Sequence, residues 1–281
     1  MTEAQGVIES ARPWRAGGPV NDAHTHVGMA ADVRPGSEAE ALVQAMDDAG
    51  VGRAAIITPS TVNGDNSATF DALRAFPSRF VAIALVNWAG PEPLRAADDA
   101  IAAGASGIRF NLVSEPASEL LLDGALDRFW CLLAEHGTVV LFHAHPHQLA
   151  LVGRLAQRHP RLTILVDHLG RPDVAAGPES EDFAALLRLA SSPNVSVKTP
   201  NSSFFSAAPP PHVDLVPFLE AALRNFGAAR VLWGSDWPVC TLGELYSAAI
   251  SPTDVALASA TQAERDAVFG GNFNRIFSYQ N

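Results

Sequence analysis

Val20-Asn21-Asp22-Ala23-His24-Thr25-His26 starts apolar and ends on two histidines, and the same design returns three times along the chain. Val139-Val140-Leu141-Phe142-His143, Leu162-Thr163-Ile164-Leu165-Val166-Asp167-His168 and Val231-Leu232-Trp233-Gly234-Ser235-Asp236 each run apolar and close on a histidine or an acid. Short apolar runs of this kind read as buried strands. Each polar residue stands at or just past a strand's C-terminal end. In an eight-stranded β/α barrel those ends converge on one mouth, where the chemistry of that fold is placed. Residues from distant parts of the chain can therefore build one site.

Working outward, Ala54–Thr58, Phe80–Val86, Gly107–Asn111 and Val195–Lys198 bring the strand-like runs to eight. Helical patterns fill the gaps. Glu38–Ala49 carries Ala41, Leu42, Ala45, Met46 and Ala49 on one 3.6-residue stripe, with Ser37 and Glu40 spaced as a capping box. Ala125–Glu135, Phe183–Ala190 and Leu215–Phe226 are similar, and Thr261 with Glu264 opens a last helix over Thr261–Phe277. Gly50, Gly104, Gly137 and Gly227 follow helices as C-terminal stops. Alternating strand and helix predicts a parallel sheet, and eight units in 281 residues favour a closed barrel over an open sheet. The expectation is an α/β protein, a single-domain (β/α)8 TIM barrel over residues 20–281, behind an N-terminal extension of residues 1–19. An irregular insert, Asn201–Ala208 followed by Pro209-Pro210-Pro211, comes after the seventh strand. It either shapes specificity at the mouth or is an exposed turn.

Composition excludes several classes. The chain is 48% hydrophobic and 17% charged, ordinary for a globular protein with a sizeable core. With a net charge of −11 and no basic run longer than two residues, nucleic acid is not an expected partner. No stretch of 18 apolar residues is present, so no membrane span is expected. Met1 to Gly18 lacks the pattern of a signal peptide, which makes the cytoplasm the default compartment. Two cysteines do not imply a disulfide framework: Cys131 lies in an apolar helical pattern and reads as core, and Cys240 falls near the proposed mouth. The sequon Asn201-Ser202-Ser203 carries no weight without a secretory signal.

The candidate site follows from the strand ends. His24 and His26 share a strand face, because side chains alternate, so both imidazoles can grip one metal ion or polarise one carbonyl. Asp22 is the preceding residue on that face. His143 is the best placed of the alternating His143, His145 and His147; the other two read as loop or early helix. His168 stands where a strand emerges into its loop, and Arg171, three residues on, can clamp a carboxylate or pair with Asp173. Asp236 ends an apolar strand and needs a partner, since burying an unpaired charge is costly. It can act as general base towards water, or cap the next helix. Arg109 and Asn111 share a face of the fourth strand and Lys198 ends the seventh; all three are expected to meet an anion at the mouth.

Taken together, His24-Thr25-His26, Gly107-Ile108-Arg109-Phe110-Asn111, Asp167-His168-Leu169-Gly170-Arg171-Pro172 and Trp233-Gly234-Ser235-Asp236-Trp237-Pro238 resemble the amidohydrolase superfamily, of the amidohydrolase-2 type, and within it the lactonase branch. The resemblance runs from about residue 20 to the last helix. It implies a distorted barrel and hydrolysis of a ring ester, such as a pyrone-dicarboxylate or muconolactone-type compound. Carried over, His24, His26 and His168 would polarise the lactone carbonyl and Asp236 would activate water. Arg109 and Arg171 would match the carboxylate-binding arginines of the dicarboxylate-type members. Gly170-Arg171-Pro172-Asp173 looks more like those members, whereas Trp237-Pro238-Val239-Cys240 looks more like the sugar-acid lactonases. Val197-Lys198-Thr199-Pro200-Asn201 departs from the Lys-Leu/Ile-Ser-Gly pattern expected there.

Arg109 occupies the fourth-strand region where many members place a metal-bridging residue, which argues against a two-metal centre. One Zn²⁺ on His24, His26, His143 and Asp236 is chemically suited. The resemblance leans towards no metal being essential, because a lactone is an activated ester. The sequence is compatible with three functions: a lactonase, a metal-dependent decarboxylase of the same superfamily, and a non-enzymatic ligand-binding barrel. The expected partner is a small-molecule lactone, with a homodimer also open.

Overall fold

The computed structural model describes residues 18–29, 36–62, 64–114, 118–241 and 246–278. Most of the expected N-terminal extension lies outside the described residues. Eight parallel strands follow one another in chain order in one sheet. They are β1 (Val20–Thr25), β2 (Val51–Ile57), β3 (Phe80–Leu85), β4 (Ala105–Asn111), β5 (Val139–His143), β6 (Ile164–Val166), β7 (Val195–Lys198) and β8 (Val231–Leu232). The segment after β8 returns to β1: Trp233 O accepts from Ala23 N at 3.0 Å, His24 O from Asp236 N at 2.8 Å, and Trp237 O from His26 N at 2.7 Å. The sheet thus closes into the expected TIM barrel.

Helices α1 (Ala39–Ala49), α2 (Ser67–Ala75), α3 (Pro93–Ala102), α4 (Asp127–Glu135), α5 (Leu149–Arg158) and α6 (Glu181–Arg188) cross over between successive strands. A short α7 (Ser202–Phe205) and α8 (Val216–Phe226) follow β7, and α9 (Ser251–Ala256), α10 (Gln262–Asp266) and α11 (Asn272–Ile276) complete the chain. Among the described residues, no helix is long and apolar enough to cross a membrane.

Strand parity sets what faces where. Ile108, Phe110, Val140, Phe142, Ile164, Val166, Val195 and Val197 pack outward in the large core beneath the helices. Ala55, Ile57, Val81, Ile83, Val139, Leu141, Leu165 and Leu232 form a second cluster that fills the barrel. The alternate residues Arg109, His143, Asp167 and Lys198 therefore follow the inward-facing positions to the strand ends. Arg109 is polar on the parity that is apolar at neighbouring strands, which marks the change from packed interior to chemical mouth.

Two local expectations are corrected. Ser37 does not cap α1: Glu38 is the residue before the helix and makes no side-chain cap, while Ser37 Oγ donates to Met29 O at 3.2 Å. Ser37 instead fastens the β1–α1 connection. Cys131 is exposed, because α4 turns Phe129, Trp130 and Leu133 inward and leaves the intervening position outside. The last helix runs on from its Thr261–Glu264 capping box as expected, α10 passing into α11 through a π-helical turn at Ala267–Gly271.

Candidate active site

A bulge in β1 aims the first histidines. Asp22 pairs with Ala54 but Thr25 with Ile56, so β1 spends an extra residue between them. His24 Nε2 and His26 Nε2 then meet at 3.2 Å. Gly234 makes room on the other side, since a Cβ there would lie 2.9 Å from His24 Cβ. Beyond it the chain turns through Asp236 in the left-handed region, φ 63°. That turn sets Asp236 Oδ1 at 3.5 Å from His24 Nε2 and 3.2 Å from His26 Nε2.

Asp22 locks this arrangement from below. Fully buried, its Oδ1 accepts from His24 N and from Ser235 N, both at 2.9 Å. Its Oδ2 accepts from Ser235 Oγ at 2.5 Å and from Tyr246 OH at 2.6 Å. One carboxylate thus holds the backbone on either side of the histidine–aspartate contact.

Proton positions follow from the partners. His26 Nδ1 lies 2.7 Å from the Ile57 carbonyl oxygen, so Nδ1 carries the proton and Nε2 the lone pair. His24 Nδ1 faces Asp167 Oδ1 at 3.4 Å. Lys198 Nζ lies at the same 3.4 Å from that nitrogen; in the tautomer with the proton on Nδ1, directed to the carboxylate, Nε2 is left as acceptor. Burial holds His24 well below the ordinary histidine range, which keeps the ring neutral. Asp236 remains ionised: burial opposes the charge, but its neighbours, His168 first among them, hold its pKa down. In these tautomers three acceptor atoms face one another, the arrangement a bound cation would satisfy. Their spacings of 3.2, 3.5 and 3.2 Å match the edges of a ligand shell around an ion bound at about 2.1 Å. The donor set fits one divalent cation, and His24, His26 and Asp236 are the group able to hold it among the described residues.

His143, expected as a fourth ligand, is not in that group. Its Nε2 is 2.9 Å from Arg171 Nη1 and its Nδ1 is 3.0 Å from Asn111 Oδ1. Arginine can only donate, so Nε2 is already occupied and Nδ1–H serves Asn111. Burial and the neighbouring Arg109 push the His143 pKa down to about 2.

Residues 168–171 run through four consecutive left-handed positions, with φ of 52°, 48°, 66° and 63°. Residues three apart share a face of such a turn, so His168 and Arg171 point to the mouth together while Leu169 packs into the core. Gly170 is required twice over: its φ is left-handed, and a Cβ would lie 2.9 Å from Leu149 Cδ1. His168 Nε2 stands 3.9 Å from Asp236 Oδ2, and its Nδ1 has no hydrogen-bond partner among the described residues. This buried ring has capacity left for a further partner.

Lys198 does not meet an anion at the mouth. It is fully buried, its Nζ 3.0 Å from Asp167 Oδ1 and 3.4 Å from His24 Nδ1. Arg109 Nε also reaches Asp167, at 3.2 Å from Oδ2. Burial disfavours the charged Asp167, yet Lys198, His24 and Arg109 more than compensate and hold it well below the usual carboxylate range.

Above these groups opens a pocket of about 190 Å³ lined by His26, Arg109, His143, His168, Arg171 and Asp236, with Ser60, Thr61, Phe204 and Phe205 on its walls. Asn111 meets the pocket residue His143 through its side-chain oxygen. His145 and His147 stack on each other in the following loop, ring centroids 5.5 Å apart. Sequence reading passed over Asp167, Asn201 and the two phenylalanines. Asp167 carried the same signal as Asp236, an acid closing an apolar run. The insert that holds Asn201, Phe204 and Phe205 was expected to shape the mouth or to be an exposed turn, and its two phenylalanines line the pocket.

The chain is 33% identical over 208 residues to the 4-sulfomuconolactone hydrolase of Hydrogenophaga intermedia, a match covering 73% of this chain and 66% of that one. It is 40% identical over 100 residues to the L-fucono-1,5-lactonase of Burkholderia ambifaria, covering 34% of this chain and 33% of the relative. The matches thus span just under two thirds of the first relative's length and about a third of the second's. A zinc-bound amidohydrolase structure from Burkholderia multivorans superposes with a TM-score of 0.80 at 22% identity, covering 93% of this chain and 99% of that one, a likeness of fold. Residues 15–278 match the family described as Amidohydrolase, and the chain belongs to that family.

Proposed function

We propose that the chain hydrolyses a small lactone carrying an anionic substituent. The observation that carries this reading is the convergence on one pocket of an ionised carboxylate, an imidazole with spare hydrogen-bonding capacity, and two guanidinium groups. Relatives named for lactone hydrolysis support the reaction class.

In this reading Asp236 accepts a proton from a water molecule, whose oxygen attacks the ring carbonyl carbon. The carbonyl π electrons move to oxygen, where His168 donates a hydrogen bond. Collapse of the tetrahedral species breaks the ring C–O bond, and the leaving oxygen takes the proton back from Asp236. His24 and His26 present lone pairs, so they cannot donate to an oxyanion themselves. Their role is to hold, with Asp236, a divalent ion, which supplies Lewis acidity at the carbonyl when bound. Arg171, braced by His143 and lying 5.8 Å over the Phe205 ring, is the anion clamp. Arg109 assists from deeper in the pocket.

The anionic group is favoured over a neutral sugar because cationic side chains face the pocket at Arg109 and Arg171. The decarboxylase alternative loses support, since both nitrogens of its fifth-strand histidine, His143, are taken. The test is turnover of a panel of pyrone dicarboxylate, muconolactones and sugar-acid lactones, on protein of known metal content, with and without chelator. Ring opening of anionic lactones that chelation removes is the expected result. CO₂ release, or turnover of sugar lactones alone, would overturn the reading.

A further inference from the structure

The insert after β7 reaches back to the proposed base. Asn201 is fully buried, and its Nδ2 donates to Asp236 Oδ2 at 2.9 Å. Its amide orientation is fixed by the other end. Oδ1 accepts from Phe204 N at 3.3 Å and from Ser203 Oγ at 3.1 Å, capping α7. A backbone N–H can only donate, so the carbonyl oxygen must face the helix and the amino group must face Asp236. The Asp236 carboxylate thereby has two distinct oxygens: Oδ1 faces His24 and His26, and Oδ2 is pinned by Asn201. Without that donor the group can rotate about its Cβ–Cγ bond and exchange them, since this torsion is broad. The same α7 carries Phe205, whose ring lies 6.0 Å from His168 and 5.8 Å from the Arg171 guanidinium carbon. Base orientation and the aromatic wall of the pocket are therefore one unit hinged at a single side chain.

We propose that Asn201 is a positioning residue that fixes the Asp236 carboxylate and couples it to the Phe205 wall of the pocket. Its role in turnover rests on the lactonase reading; its role in orienting Asp236 does not. Asn201→Ser keeps a good helix cap but cannot reach Asp236, and Asn201→Gly leaves the cap only slightly weaker. Asn201→Ala removes both functions. Misplacement of a reacting group by about 1 Å can cost on the order of 100-fold. The expected result for the Ser and Gly variants is therefore kcat reduced about 10- to 100-fold with KM within about 2-fold of wild type. The Ala variant adds a rise in KM, because the Phe205 wall loosens. A crystal structure of the Ser variant should show Asp236 Oδ2 moved or split between two orientations, with the backbone around Asn201 unchanged. If the wild type opens no lactone, the functional reading fails while the crystal structure still decides the positioning role. An Asp236 carboxylate that keeps its orientation in the Ser variant overturns the proposal, as does wild-type kcat in both the Ser and Gly variants. Should the Ser variant not fold, the Gly variant serves for both measurements.

Discussion

Replacing Lys198 by methionine separates two roles for a buried cation. Methionine keeps a straight side chain of similar reach and removes the charge and its hydrogen bonds. In the wild type Nζ lies 3.0 Å from Asp167 Oδ1, and neither group is exposed. Removing one partner of a buried ion pair costs about 3–5 kcal/mol, because the other charge is left uncompensated. Here Arg109 Nε remains 3.2 Å from Asp167 Oδ2, so the lower end, about 3 kcal/mol, is expected. For 281 residues, at about 2.1 cal/mol/K per residue, the unfolding entropy is about 0.6 kcal/mol/K, and the midpoint falls by about 5 °C. His24 Nδ1 also loses its Lys198 neighbour at 3.4 Å, so kcat drops while KM for an anionic lactone changes by less than about 2-fold. If Lys198 instead grips the substrate's anion, the pattern reverses: KM rises steeply and the melting curve stays in place. Calorimetry and steady-state kinetics on the same preparation read both. A Lys198→Met protein that melts like wild type and loses affinity for anionic lactones would refute this structural role.

Three further outcomes are expected. Asp236→Asn should abolish turnover while circular dichroism and thermal midpoint stay near wild type; near-normal activity would remove Asp236 from its role as base. Gly170→Ala, forced into a left-handed φ and against Leu149 Cδ1 at 2.9 Å, should cost about 2–4 kcal/mol from backbone and overpacking together. Denaturant titration checks this, and an unchanged midpoint would show that the left-handed turn relaxes freely. Burial pushes the Asp22 carboxyl up to about 6, against the hydrogen bonds from Ser235, Tyr246 and His24. Between about pH 4 and 6 the folded protein therefore holds a proton that the unfolded chain releases, and stability falls as pH rises through that window. Relative to Asp22→Asn, the wild type should lose up to about 3 kcal/mol across it; parallel stability–pH curves for the two proteins would contradict this.

Much of the architecture was legible because barrel strands are buried on both faces. They read as unbroken apolar runs, and a residue that breaks the run at its end must be emerging at the mouth. That logic located His24, His26, His143, His168 and Asp236 without reference to the helices. It left helix caps less certain: Ser37 and Glu40 have the right spacing, but the loop used the serine for Met29 instead. It also missed how the cations divide. Val195 and Val197 pack outward under the helices, so Ser196 and Lys198 must face the barrel axis. The alternation was present in the sequence, but Lys198 was expected at the mouth rather than buried against a carboxylate. Asp167, itself closing an apolar run, was the available partner.

Asn201 was beyond such reasoning for a physical reason. Strand parity fixes a side chain's direction only while the backbone stays extended, and Asn201 lies past the end of β7 (Val195–Lys198), at the cap of a one-turn helix. Its meeting with Asp236 depends on the path of two loops, after β7 and after β8, neither of which has a period to read. The same holds for the left-handed turn at residues 168–171, where non-glycine residues adopt angles their own preferences oppose. Such strain persists only where surrounding contacts over-determine it. Here those contacts are the buried Leu169 and Gly170 on one side, and the pairing of Arg171 with His143 on the other. In this protein the stretches that local rules read worst are the ones that bring His168, Arg171 and Asp236 to a single pocket. The places where local preference and observed backbone disagree are therefore themselves pointers to the site.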